Sequence, residues 1–130
     1  MPLVLTFCAF GGNAWSAELP MSAQVFEDYT TGQTVTYANR GGHAGQEAYL
    51  EGRRVQWADE DGFCSDGTWY QLGEMICFNY GEGVQPQCWW FYLEEYGLRA
   101  EFIDRSANST LFETARDTKP LICEAPGTDL

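Results

Sequence analysis

Residues 64–98, CSDGTWYQLGEMICFNYGEGVQPQCWWFYLEEYGL, hold three of the five cysteines and three of the five tryptophans, and their spacing decides the fold. Glu82-Gly83 suits the two central positions of a tight turn, because glycine takes positive φ without steric cost. With those two residues as the loop, Gly81 faces Val84, and counting back along both arms sets Cys77 opposite Cys88. Opposed cysteines share one sheet face, at a Cα separation expected within the roughly 4.4–6.8 Å that a disulfide accepts. Such a cross-strand bond stabilises the fold by roughly 3 kcal/mol in the chain-entropy picture. Pro86 has no N–H to donate, so its position must face an edge or a bulge.

In this register Ile76, Phe78 and Tyr80 share a face with Trp89, Phe91 and Leu93. Met75 and Cys77 share the other with Cys88, Trp90 and Tyr92. Both faces are apolar, which in an antiparallel protein implies a sandwich, a barrel wall packed by a helix, or an interface.

Working outward, residues 20–29 (PMSAQVFEDY) open with a proline and a serine cap signal at Ser22. They set Val25, Phe26 and Tyr29 along one edge of a short helix that packs on the body. After a break at Gly32 the period changes to two: Val35 and Tyr37 face one way, Thr34 and Thr36 the other. A loop over 40–45 follows, then a strand around Glu47 to Leu50 and a turn at Gly52-Arg53. The returning strand carries Val55 and Trp57 inward. The next is expected near Gly67, with Trp69 and Tyr70. Leu98, Ala100 and Phe102 alternate with Arg99 and Glu101, and Leu111 to Arg116 forms a further strand. Leu121 to Cys123 is short and pinned by its cysteine. The expected fold is mainly β: a small antiparallel barrel or strongly curved sheet of about seven to eight strands with one short N-terminal helix.

The first 17 residues hold no charge and an apolar run from Leu3 to Phe10 followed by small residues, the pattern of a secretory signal peptide cleaved after Ala14 or Ala17. The usual basic n-region is missing, so the true start is expected to lie upstream. The run is about half the roughly 20 residues a membrane span needs, so no stable membrane insertion is expected. Residues 18–130 then form a single domain in the periplasm or secreted medium. Cys8 leaves with the leader, and the remaining Cys64, Cys77, Cys88 and Cys123 read as two disulfides of an exported domain. By elimination Cys64 pairs with Cys123. No pair has CxxC spacing and His43 is the only histidine, which argues against a zinc site; no cofactor is expected.

The balance of 7 basic against 19 acidic residues, net −12, repels phosphate backbones and excludes nucleic acid as a partner. The string GQTVTYANRGG…EAYLEGRRVQWADEDGFCSDGTWYQLGEMICFNY…QCWWF, over approximately Phe26 to Phe102, resembles small exported proteobacterial proteins of uncharacterised function. The resemblance rests on the glycine-led strand, the step Gly67-Thr68-Trp69, the strand Ile76-Cys77-Phe78-Asn79-Tyr80 and the later Cys88-Trp89. It implies the fold and export, and carries no catalytic residue. In architecture the chain also looks like the lipocalin-like barrels of some secreted protease inhibitors.

Candidate chemistry is sparse. Asp59, Glu60, Asp61 and Asp66 gather beside two glycines without the offsets of a calcium loop, and read as a solvated acidic turn. His43 sits in a glycine loop where a general base can meet substrate, but no nucleophile motif accompanies it. Glu94 and Glu95 adjoin an aromatic strand but point to opposite faces. Trp69, Tyr70, Trp90 and Tyr92 exceed what one small core needs, and any exposed part of them marks a binding surface. The leading expectation is a non-enzymatic binding or accessory domain. It engages a small apolar ligand in a barrel mouth, or an envelope protein through the Trp90 and Tyr92 face. The alternatives are a small hydrolase using His43 with acidic residues, and a secreted enzyme inhibitor.

Overall fold

The computed structural model describes residues 1–4, 6 and 18–123; the leader expected over 1–17 therefore lies largely outside the described residues. Among the described residues one α-helix, α1 (Ala23–Thr30), precedes eight strands: β1 (Thr34–Ala38), β2 (Ala44–Leu50), β3 (Arg54–Ala58), β4 (Cys64–Leu72), β5 (Met75–Asn79), β6 (Gln87–Glu94), β7 (Gly97–Phe102) and β8 (Leu111–Asp117). Each strand pairs antiparallel with the next, and β1 pairs with β8, so the sheet closes into an up-and-down barrel without edges. Closure is stabilising here because it leaves no unpaired row of backbone groups.

The hairpin at the centre has the expected register, with Ile76 opposite Trp89 and Cys77 opposite Cys88. The Cys77–Cys88 disulfide is present at a Cα separation of 4.0 Å, closer than the range expected from the sequence. Glu82 and Gly83 occupy the middle of a turn closed by Val84 N–H donating to the Gly81 carbonyl. Pairing nevertheless stops at Phe78 opposite Gln87. Pro86 ends the ladder there for want of an N–H, and Tyr80 leaves the strand line to reach across the barrel. The second disulfide joins Cys64 to Cys123 at a Cα separation of 5.5 Å. No strand forms over 121–123.

Three other expectations change. β4 begins at Cys64 rather than near Gly67, because residues 64–68 complete a ladder against β3 despite having no apolar period of their own. β2 begins at Ala44, so the loop over 40–45 is shorter than expected. In α1, Phe26 is wholly buried but Val25 is half exposed. The helix does not lie against the outside of the sheet. It caps one end of the barrel, and only its Ala23, Phe26 and Thr30 side points inward.

Ser22 caps this helix as its spacing requires, accepting from Val25 N–H at 3.2 Å. Backbone bonds moor both ends: Met21 N–H donates to Phe91 O at 2.7 Å, and Gly32 N–H to Tyr49 O at 2.8 Å. Phe26 meets Tyr49, Trp69, Phe78 and Phe91 at ring separations of 4.5–6.5 Å. Tyr29 adds a polar tether, donating at 2.7 Å to buried Glu113, whose same oxygen accepts from Leu98 N–H at 2.9 Å. Helix, β7 and β8 are thereby joined at one carboxylate. Burial and that carboxylate push the Tyr29 hydroxyl pKa up to about 12.

Candidate functional site

With α1 closing one end, the other end of the barrel holds a cavity of about 460 Å³. Its walls come from the inward positions of the alternating strands: Tyr37, Glu47, Tyr49, Trp57, Phe78, Tyr80, Trp89 and Phe91. Asp59, Val84 and Gln87, all exposed, stand at its rim where the β3–β4 and β5–β6 loops meet solvent.

Two inward glycines set the aromatic walls. A Cβ at Gly45 would lie 2.2 Å from Trp57 Cζ2, so the indole rests on bare backbone across β2. A Cβ at Gly67 would lie 2.6 Å from Asn79 O and 2.8 Å from Tyr80 Cδ1, so the Tyr80 ring rests on β4 in the same way. Any side chain at either position would push a ring into the cavity. Trp57 is further held by its Nε1–H donating to Asp59 at 2.7 Å, and Tyr80 stacks on Phe78.

The polar element is Glu47, opposite Val35 on one side and Trp57 on the other and only 2% exposed. Tyr80 Oη donates to its Oε1 at 2.5 Å. Its Oε2 is buried and has no hydrogen-bond partner within the described protein. Tyr37 and Tyr49, beside it, bond hydroxyl to hydroxyl at 2.7 Å. Removing a carboxylate from water disfavours its charged form, and burial raises the Glu47 pKa to about 8 against the opposing pull of the Tyr80 bond. The same burial raises Tyr37, Tyr49 and Tyr80 well above the usual phenol range, so all three stay protonated donors.

Glu47 couples the site to stability. In the ligand-free protein the folded state keeps a proton that the unfolded chain gives up near pH 4.5, so stability falls as pH rises from there to about 8. Glu47→Gln, which keeps the shape and cannot ionise, is expected to be more stable than the parent by up to about 5 kcal/mol at pH 8. The gap should shrink to little by pH 5. Urea unfolding midpoints across that range measure it, and parallel curves for the two proteins would contradict the buried neutral acid.

The residues singled out from the sequence fall elsewhere. Trp69 is 3% exposed and belongs to the closed end, between Phe26 and the Arg53 guanidinium at 4.4 Å. Tyr70 points outward from β4, 37% exposed. Trp90 and Tyr92 lie on the outer wall of β6, as the register required, but that wall is covered. Arg105 stacks over Trp90 at 4.0 Å and Arg99 over Tyr92 at 4.3 Å. Arg99 is in turn held by Glu18, Glu94 and Glu101; partial burial lowers its pKa, and the three carboxylates outweigh that and raise it on balance. The structure thus brings together none of the four at the cavity.

His43 is exposed and lies 4.0 Å from Glu60, outside the cavity lining. Of the acidic cluster, Asp61 caps the turn at Phe63 N–H and Asp66 accepts from Gln56, both roles of a solvated loop and strand. Among the described residues no three His, Cys, Asp or Glu side chains converge as metal ligands, and no helix is long and apolar enough to cross a membrane. Glu47, Tyr80, Trp57 and Trp89 were not singled out as site residues. The signal for Trp57, Tyr80 and Trp89 was their inward parity; for Glu47 there was only its two-residue offset from Tyr49. Comparison of the chain with family models, curated proteins and solved structures found no match.

Proposed function

We propose that this is an exported, non-enzymatic binding protein that holds one small, largely apolar ligand in the open end of its barrel. The observation that carries this reading is the cavity: about 460 Å³, walled by aromatic rings, sealed by Phe26 at its base and furnished with one buried acid and three phenols. A volume within roughly 300–1,000 Å³, mostly apolar lining and a few convergent polar groups are what small-molecule sites share. An eight-stranded barrel has about the bore to hold one such ligand, the use that lipocalin-like barrels make of it.

Two disulfides suggest an oxidising, extracellular or periplasmic environment. The apolar leader and the resemblance to exported proteobacterial proteins favour the periplasm or the secreted medium. The hydrolase reading is the weaker one, since His43 stands in solvent away from the cavity that would seat a substrate. Docking of an envelope protein on the outer β6 wall has less support as well, because Arg99 and Arg105 already occupy the ring faces it would use.

Native mass spectrometry of the protein isolated from its own cells tests the reading. The expected spectrum shows a monomer carrying one small-molecule adduct that is shed on denaturation. A bare monomer, or a complex with a second protein and no small molecule, would contradict it.

A further inference from the structure

Building on the proposed ligand cavity, the chemistry of its walls narrows what enters it. The fourteen lining residues include two carboxyl groups, Glu47 and Asp59, and neither lysine nor arginine. Glu47 presents a buried, unpartnered Oε2, while Oε1 is taken by Tyr80. Around it stand the ring faces of Tyr37, Tyr49, Trp57, Phe78, Tyr80 and Trp89, and aromatic faces attract cations. The whole chain carries −12, which draws cations toward the rim and turns anions away.

We infer that the barrel takes an aromatic primary ammonium, whose nitrogen donates to Glu47 Oε2 while its ring packs between Trp57, Phe78 and Trp89. A carboxylate ligand would face Glu47 and Asp59 with no cation to offset them. A neutral alcohol can occupy the same space, but leaves the attraction of the ring faces and the carboxyl unused.

Seating the cation has a stoichiometric consequence. Glu47 must release its proton to pair with the ammonium, so one proton leaves the protein for each ligand bound at neutral pH. The groups facing Glu47 are the Tyr80, Tyr37 and Tyr49 hydroxyls and the carboxylate of Asp59 at the rim, with Glu113 farther along β8 acting on Tyr37. The three phenols are held protonated over the working range, so the released proton is assigned to Glu47.

Isothermal titration with tryptamine and tryptophol, which share one ring and chain and differ in ammonium against hydroxyl, tests the inference. Tryptamine is expected to bind at least about tenfold more tightly at pH 7.5, one unit of affinity arithmetic. Its affinity should climb by up to about tenfold per pH unit between pH 6 and about 8, while that of tryptophol stays flat. In Glu47→Gln the preference for tryptamine over tryptophol and the pH slope should both vanish. Equal affinities for the two ligands, or a preference that survives in Glu47→Gln, would overturn the cationic class while leaving the cavity as a binding site. Binding of neither ligand would overturn both.

Discussion

Phe26→Ala is expected to lower stability by about 3–5 kcal/mol, the range for removing a buried phenyl ring from a packed site. The magnitude follows from where the ring sits. Phe26 is fully buried and is the inward anchor of α1, touching rings from β2, β4, β5 and β6 at once. An eight-residue helix is too short to persist unless it is packed, so its docking depends on this residue together with the Tyr29–Glu113 bond. A loss of this size would shift the thermal midpoint by about 10–20 °C for a domain of this length. The neighbouring Val25→Ala, at a half-exposed position, should change stability by less than about 0.5 kcal/mol. Calorimetry of the two variants checks the pair. Similar small losses for both would mean that the helix does not plug the barrel.

The second large effect is expected from Cys64→Ser with Cys123→Ser. That bond closes a loop of 59 residues and fastens the segment after β8 to the start of β4. Loop-closure entropy in the unfolded chain puts its contribution at about 4 kcal/mol, against about 3 kcal/mol for the Cys77–Cys88 loop of 11. The Cys77→Ser with Cys88→Ser variant should therefore lose less, although its cysteines sit in the centre of a ladder. Guanidinium unfolding of the two double variants measures both. A greater loss from the shorter loop would show that native packing around Cys77 and Cys88, rather than chain entropy, sets the order.

The barrel was legible where spacing is quantitative. A glycine turn and two cysteines equidistant from it defined the central hairpin, and the two-residue alternation of Val35 with Tyr37 and of Leu98 with Ala100 assigned their faces correctly. Legibility failed where alternation is ambiguous. In Gln46-Glu47-Ala48-Tyr49-Leu50 apolar residues stand at both parities, and a glutamate ordinarily argues for the solvent side. Only the Tyr80 hydroxyl, arriving from 33 residues away over a bare Gly67, makes the inward choice tolerable. Ladder pairing likewise made a strand of Cys64 to Thr68, whose own residues give no period.

The surplus of aromatic side chains also has a place inside the fold that counting rings does not reveal. Counting rings against the needs of a small core assigned the excess to an outer binding face. A closed barrel has an interior wider than one helix can fill, so Trp57, Tyr80 and Trp89 line the remainder of the bore. The outer rings of β6 are instead roofed by arginines that are themselves neutralised by glutamates. An acidic chain spends three of its carboxylates holding Arg99 there, an arrangement that no local pattern announces because Glu18 and Arg99 are distant in sequence.

The most direct test of the central claim is the indole N–H region of a nitrogen-correlated NMR spectrum during titration with tryptophol. A ligand in the bore must shift the Trp57 and Trp89 resonances and leave Trp90 in place. Shifts confined to Trp90, or no shift at saturating ligand, would contradict a binding site inside the barrel.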